Sequence, residues 1–134
     1  MNEVLTALRR PCCVTSNSGH DRLSLTLALT GLAEHFGPHV FSAEDVAKGK
    51  PSPDLFYFAA KRMGVEVTRC LVIDDSPTGI EGAVAAGAQA IGFTGGGHTT
   101  SDHIDRLMAA GACCTVASTR DLMPLICGDD IPLQ

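Results

Sequence analysis

The chain has 134 residues and a net charge of −5, and 45% of its residues are hydrophobic. This length and composition predict one compact domain with a packed core. The negative charge and the aromatic content of 4% argue against a nucleic-acid partner, which needs basic and stacking side chains. No apolar run reaches the ~18 residues of a membrane span, and the first residues lack a signal-peptide pattern. We therefore expect no membrane partner and a cytoplasmic location.

Strands and helices alternate along the chain. Short apolar runs predict five strands, at residues 12–15, 40–41, 70–73, 88–93 and 113–117. Helical patterns cover residues 2–9, 21–33, 52–63, 76–86, 101–110 and 119–127. Two of these helices begin with the pair serine and proline, at Ser52-Pro53 and Ser76-Pro77. Three helices are expected to end at Gly64, Gly87 and Gly111.

This alternation predicts an α/β fold, a doubly wound, Rossmann-like parallel sheet covered by helices on both faces. We assign residues 1–128 to this core domain and residues 129–134 to a polar C-terminal tail.

The six cysteines include two adjacent pairs, Cys12-Cys13 and Cys113-Cys114, and the sequence contains no Cys-x-x-Cys. Because neighbouring residues on a strand point to opposite faces, neither pair forms a natural ligand set. We expect small buried thiols in a reducing compartment rather than a zinc site.

Polar residues follow two of the predicted strands. The segment Thr15-Ser16-Asn17-Ser18 follows the first strand, and Asp74-Asp75 follows the third. Ligands of open parallel sheets bind beyond the carboxyl ends of the strands, so these residues can meet in space. Paired carboxylates suit Mg²⁺, and a hydroxyl beside turn N–H groups suits a phosphoryl oxygen.

A lysine completes the set. Lys50 lies in the segment Gly49-Lys50-Pro51-Ser52-Pro53-Asp54, at the entry to a helix, where its charge can neutralise a phosphate. Alone, each feature has an ordinary explanation: a capped helix, a common turn or a solvated lysine. The three together, in this order, are far more specific.

The ordered set resembles the haloacid dehalogenase-like hydrolase superfamily, on the branch with phosphoglycolate phosphatase and β-phosphoglucomutase. Residues 14–18 are similar to the second motif of that family, residues 49–54 to the third and residues 71–80 to the fourth. The likeness covers roughly residues 4 to 126.

The resemblance implies a role for each residue. Ser16 and the backbone of Asn17 would bind the transferring phosphoryl group, and Lys50 would stabilise its charge as a catalytic residue. Asp74 and Asp75 would hold Mg²⁺. Members of the family transfer phosphoryl groups from small phosphorylated metabolites through an aspartyl-phosphate intermediate.

The sequence departs from the family at its first motif. The Asp-x-Asp pair, which supplies the nucleophile, occurs nowhere in the chain, and the helical cap is also absent. By the resemblance, the strand that carries this pair lies between the strands of the second and fourth motifs. We therefore expect the C-terminal part of a longer phosphatase.

Three alternatives remain open. The first is that the chain is a shortened relative that binds phosphate or a protein partner and catalyses no reaction. The second is that it belongs to a sugar phosphomutase. A phosphoacceptor signalling domain fits less well, because its lysine follows its acidic pair and here Lys50 precedes it. The loop Gly95-Gly96-Gly97-His98 is expected to be exposed rather than part of the site, and His103 has no ligand-like spacing.

The missing strand leads to a prediction about stability. Its burial would contribute on the order of 10 kcal/mol, from four or five large apolar residues at roughly 1.5–3 kcal/mol each. Because a whole domain is stable by only ~5–15 kcal/mol, we expect the chain to be marginally stable or to associate through exposed sheet edges. Calorimetry and sedimentation check this, and a monomer with an ordinary cooperative melt would count against it.

Overall fold

Parallel strands alternate with helices, as predicted. The computed structural model describes residues 12–94, 100–118 and 121–122. The strands are β1 (Val14–Ser16), β2 (Val40–Ser42), β3 (Leu71–Asp74), β4 (Gln89–Phe93) and β5 (Cys114–Val116). The helices are α1 (His20–Thr30), α2 (Ala33–Phe36), α3 (Asp54–Met63), α4 (Pro77–Ala85) and α5 (Ser101–Ala110). Single 3₁₀ turns cover Ala43–Asp45 and Val67–Arg69.

Some predicted elements lie outside the described residues. They are the helix at 2–9, the loop at 95–98, the tail at 129–134 and all but 121–122 of the last helix. Within the described ranges, no helix is both long enough and apolar enough to cross a membrane.

Two predicted boundaries were wrong. The helix predicted at 21–33 ends at Thr30, because Gly31 adopts a left-handed φ of 73° and the chain restarts as α2. The helix predicted from Ser52 begins at Asp54, with Pro53 at the N-cap position. Ser52 Oγ still accepts a hydrogen bond from the Asp54 N–H, at 3.3 Å. The start of α4 agrees with the prediction, since Ser76 is the N-cap and a proline follows.

The strands form two separate parallel sheets. One sheet pairs β1 with β2, and the other has the order β3-β4-β5. Thr15 aligns with Phe41 in the first sheet, and Ile73 aligns with Ile91 in the second. Among the described residues, no strand pairs with both β1 and β3.

Helix α3 joins the two halves. Leu55 and Ala59 pack with Phe41 against the β1–β2 sheet. On the same helix, Phe56 belongs to the core of the second half, with Ile80 of α4. The apolar residues of α3 are thus divided between two cores, and burial at this helix opposes separation of the sheets.

An exposed ion pair fastens the start of α1. His20 Nε2 lies 2.9 Å from Asp45 Oδ1 in the neighbouring 3₁₀ turn. The hydrogen bond that His20 donates to the Asp45 carboxylate raises the pKa of His20 above its ordinary value of 6.5. The Ser42 N–H, and then His20, hold the pKa of Asp45 below its ordinary value of 3.8.

These shifts predict a pH dependence of stability. The raised pKa of His20 means that this histidine stabilises the fold fully below pH 6.5, and this stabilisation is lost as the pH rises through the raised pKa. The lowered pKa of Asp45 means that this aspartate stabilises the fold above pH 3.8, and this stabilisation is lost as the pH falls through the lowered pKa. The melting temperature of His20→Gln should therefore fall below that of the unsubstituted chain most at about pH 5, and much less at about pH 8. His39→Gln, at another exposed histidine, is the control; a gap that grows toward pH 8 would contradict this account.

Candidate functional site

A cleft of about 460 Å³ opens between β1 and β3, at the carboxyl ends of the two strands. The five residues predicted to form the site all line this cleft: Ser16, Asn17, Lys50, Asp74 and Asp75. They meet although β1 and β3 belong to two separate sheets. Their individual roles stay predictions.

The Lys50 ammonium group connects the two sides of the cleft. Nζ donates a hydrogen bond to Asp74 Oδ2 at 2.8 Å, on the β3 side. It also donates to the Thr15 carbonyl at 3.0 Å, on the β1 side. The Lys50 side chain is 9% exposed and that of Asp74 is 13% exposed, so water screens this pair little. The Phe56 ring lies beneath, with its centroid 5.5 Å from Nζ.

The Asn17 side chain holds the backbone of Lys50. Its Oδ1 accepts from the Lys50 N–H at 2.8 Å, and its Nδ2 donates to the Lys50 carbonyl at 3.1 Å. A Cβ at Gly49 would lie 2.5 Å from this Oδ1, so the close approach requires glycine. The Lys50–Pro51 peptide bond is cis. Asn17 thus fixes where the lysine enters the cleft, a role that the sequence analysis did not assign to its side chain.

The Ser16 hydroxyl is oriented by its own turn. Its Oγ accepts a hydrogen bond from the Ser18 N–H at 3.0 Å. Because a hydroxyl also carries one donor, Ser16 keeps a proton to offer to an oxygen atom in the cleft.

The two carboxylates differ in their surroundings. Asp74 Oδ1 accepts from the Ser76 N–H at 3.0 Å, and Oδ2 accepts from Lys50. Asp75 is exposed, and its carbonyl accepts from His103 Nε2 at 2.9 Å. The sequence spacing of His103 did not predict this contact, which arises because α5 brings the histidine to the loop of the acidic pair.

The donor set fits Mg²⁺ better than a transition metal. In the part of the chain that the structure describes, no three His, Cys, Asp or Glu residues come close enough to form a metal site. Mg²⁺ commonly binds one or two carboxylates and takes its other ligands from water and phosphate. Asp74 and Asp75 satisfy this demand, whereas a zinc site would need three or four protein ligands.

The described cysteines are free thiols. Burial raises the pKa of Cys13 to about 11, with smaller contributions from Cys70 and Cys12. Burial also raises the pKa of Cys114. Since the thiolate is the nucleophile and the metal ligand, a raised pKa makes these thiols poor at both. The prediction of buried thiols was wrong in part, because Cys12, Cys13, Cys70 and Cys114 are only half-buried and Cys113 is exposed.

Gly79 lies within residues 71–80, the fourth motif of the resemblance, and contacts the site directly. It lies in the first turn of α4, and a Cβ there would lie 1.9 Å from Asp74 Oδ2. The glycine leaves the space in which the Asp74 carboxylate meets Lys50. A glycine early in a helix is the only sequence signal for this role.

Known proteins resemble the chain over most of its length. The family model for haloacid dehalogenase-like hydrolases matches residues 1–87. The 6-phosphogluconate phosphatase of Escherichia coli (strain K12) is 30% identical over 78% of this chain and 51% of its own. A fructose-1-phosphate phosphatase of the same strain is 41% identical over 62% of this chain and 44% of its own. The chain thus spans about half the length of these curated relatives.

A solved structure also has this fold. A HAD family hydrolase from Deinococcus radiodurans R1, crystallised with bound phosphate and sodium, superposes with a TM-score of 0.85 at 40% identity. The match covers 91% of this chain and 55% of that one. The α/β Rossmann-like core is thereby confirmed.

The contact at Gly79 gives a prediction. In a helix, Gly→Ala ordinarily stabilises by about 0.5–1 kcal/mol. Gly79→Ala should instead destabilise the chain, because the new Cβ displaces the Asp74 carboxylate from Lys50. Urea denaturation of Gly79→Ala, with Glu81→Ala on the exposed side of α4 as control, measures the effect.

A double-mutant cycle isolates the cause. In the Asp74→Ala background the clash is removed, so Gly79→Ala should become neutral or stabilising. An equal loss in both backgrounds would show that Gly79 acts independently of Asp74.

Proposed function

Because the chain belongs to the haloacid dehalogenase-like hydrolase family, we propose that it forms the phosphate- and Mg²⁺-binding part of a phosphatase that acts on a small phosphorylated metabolite. One observation carries the proposal. A shielded lysine lies between a strand-end carbonyl and a paired carboxylate, in a cleft that also holds a hydroxyl.

The anion is held by the β1 side of the cleft. The Ser16 hydroxyl and the backbone N–H of Asn17 bind phosphoryl oxygens, as helix and turn N–H groups do at many phosphate sites. Lys50 neutralises their charge from beneath. The bound phosphate in the similar hydrolase from Deinococcus radiodurans supports this class of ligand.

The metal is held by the β3 side. Asp74 and Asp75 would bind Mg²⁺, which when present draws negative charge from phosphoryl oxygens. Asp74 is oriented by the Ser76 N–H and by Lys50. The hydrogen bond from His103 to the Asp75 carbonyl holds the loop on which both carboxylates lie.

We assign the binding of phosphate and Mg²⁺ to this chain, but we do not assign to it the nucleophile that attacks phosphorus. No Asp-x-Asp occurs among the 134 residues, so the carboxylate that accepts the phosphoryl group elsewhere in the family has no counterpart here. The same site also fits two of the alternative functions, a shortened relative that binds without catalysis and a sugar phosphomutase. The free thiols of the described residues support a cytoplasmic location.

The substrate is proposed to be a phosphorylated sugar or sugar acid. The two curated relatives are named for 6-phosphogluconate and fructose 1-phosphate. Lys50 is the only lysine or arginine among the described residues that line the cleft. One lysine suits a single phosphoryl group and leaves the rest of the substrate to contacts outside these residues.

Calorimetric titration with inorganic phosphate, with and without Mg²⁺, tests the binding site. We expect saturable binding that Mg²⁺ strengthens. Lys50→Met should weaken it by about ten-fold or more, the usual effect of losing a charged hydrogen bond. Lys48→Met, at an exposed lysine two residues away, should leave it unchanged. No saturable phosphate binding by the folded chain would contradict the proposal.

The role of the metal is tested separately. Asp75→Asn should abolish the strengthening by Mg²⁺ while leaving the metal-free binding of phosphate in place. Asp105→Asn, at an exposed aspartate of α5, is the control. Mg²⁺ dependence that survives Asp75→Asn would remove the acidic pair from the proposal.

A turnover assay separates the alternatives. We expect that the chain alone binds inorganic phosphate but does not hydrolyse a generic phosphomonoester. Mg²⁺-dependent release that is lost in Asp75→Asn would indicate an active phosphatase, and isomerisation of a sugar phosphate would indicate a mutase. Release that survives Asp75→Asn would contradict the role given to the acidic pair.

A further inference from the structure

His103 reaches the loop of the acidic pair from the first turn of α5. Thr100 is the N-cap of this helix, and its Oγ1 accepts a hydrogen bond from the His103 N–H at 3.2 Å. The ring Nε2 lies 2.9 Å from the Asp75 carbonyl oxygen. Because a carbonyl oxygen only accepts hydrogen bonds, Nε2 carries a proton and donates this one. The cap therefore fixes the backbone from which the histidine ring reaches the loop.

The packing of α5 explains why the ring arrives at this loop. Leu107 lies one turn after His103 on the same face of the helix, and it is fully buried. A Cβ added at Gly92 of β4 would lie 3.0 Å from Leu107 Cδ1, so the leucine packs closely on the strand at that glycine. Gly92 is the register partner of Asp74 in β3. The anchoring of Leu107 beside Gly92 thus brings His103 to the loop that follows Asp74.

The carbonyl that His103 contacts belongs to the peptide group between Asp75 and Ser76. The N–H of the same peptide group donates to Asp74 Oδ1 at 3.0 Å. A peptide group is planar, and this one is trans, since among the described residues only the Lys50–Pro51 bond is cis. Its C=O and N–H therefore point in opposite directions and turn together. A hydrogen bond that fixes the carbonyl toward His103 also fixes the N–H toward the Asp74 carboxylate.

The Asp74 carboxylate is held from two sides. Its Oδ1 accepts from the Ser76 N–H, and its Oδ2 accepts from Lys50 Nζ at 2.8 Å. The Asp74 side chain is 13% exposed, so water competes little for these two hydrogen bonds. Each carboxylate oxygen keeps a further lone pair for a ligand. A continuous chain of hydrogen bonds thus runs from His103 through one peptide group to Asp74 and on to Lys50.

We propose that His103 is a positioning residue, which orients the Asp74 carboxylate through the Asp75–Ser76 peptide group. The inference rests on the proposed function where it concerns Mg²⁺, because Asp74 is one of the two carboxylates assigned to the metal. A group that orients a ligand in advance raises the affinity of the site, since the ligand no longer has to be ordered when the metal binds. Without His103, the carbonyl bonds to water and the peptide group is free to turn.

Hydrogen exchange of the Ser76 amide, measured by NMR on the whole chain, tests the proposal without a metal. In His103→Ala this amide should exchange several-fold faster, because the peptide group loses the bond to its carbonyl. His103→Gln should restore the rate of the unsubstituted chain, since the amide nitrogen of glutamine lies as many bonds from Cα as Nε2 does. His103→Asn, with a shorter side chain, should not restore it. Asp105→Asn, at an exposed residue of α5, is the control.

A second background shows whether the effect passes through Asp74. In Asp74→Ala the Ser76 N–H has lost its acceptor, so its amide should already exchange fast. Adding His103→Ala should then change the exchange rate little. An equal acceleration by His103→Ala in both backgrounds would contradict the proposal, because His103 would then act independently of the carboxylate.

Calorimetric titration with Mg²⁺ in the presence of inorganic phosphate measures the consequence for the metal. Mg²⁺ should bind about ten-fold more weakly to His103→Ala, at the lower end of the loss that removal of an outer partner causes. His103→Gln should bind Mg²⁺ like the unsubstituted chain. If the unsubstituted chain binds no Mg²⁺, the proposed function fails, and the exchange rate of the Ser76 amide still decides the role of His103.

Two further results would overturn the proposal. The first is unchanged exchange of the Ser76 amide in a His103→Ala variant that circular dichroism shows to be folded. The second is equal affinity of this variant and the unsubstituted chain for Mg²⁺. If His103→Ala does not fold, the comparison of His103→Gln with His103→Asn decides the matter, and equal exchange rates in these two variants would overturn the proposal.

Discussion

The contact of Lys50 with both sides of the cleft is the interaction on which the rest of the site depends. Its ammonium group joins the Thr15 carbonyl of one sheet to the Asp74 carboxylate of the other. A shielded ammonium group needs hydrogen-bond partners to offset its loss of hydration. Here those partners come from both halves of the protein, so the position of the lysine and the spacing of the two sheets are set together.

Several other contacts hold Lys50 and Asp74 in position. The Asn17 amide holds the Lys50 backbone, Gly79 leaves room for the Asp74 carboxylate, and Phe56 lies under the ammonium group. Phe56 is also part of the apolar core that α3 shares with α4. Packing in the core and polar chemistry in the cleft are therefore connected through the same side chain, and a change in one reaches the other.

Much of this was predictable from the sequence. The sequence predicted that the strand ends with Ser16 and Asp74 would meet beyond the carboxyl ends of the strands, and both residues line one cleft.

The partners of individual groups were not predictable, because they depend on tertiary contacts. The Thr15 carbonyl and the Asp74 carboxylate meet Lys50 only through the path of its loop, and His103 reaches the Asp75 carbonyl only through the packing of α5. The end of α1 was missed because the leucine pattern continues to Leu32, although Gly31 is the same kind of stop signal as Gly64 and adopts a left-handed φ of 73°. Such details require the three-dimensional neighbours of each residue.

The central claim is that the cleft holds a metal and a phosphate side by side. The most direct test is diffraction from crystals of the chain soaked with Mn²⁺, as a stand-in for Mg²⁺, and inorganic phosphate. The account predicts an anomalous peak against the carboxylates of Asp74 and Asp75, with phosphate beside Ser16 and Lys50. A metal peak elsewhere, or phosphate bound away from Lys50, would contradict it.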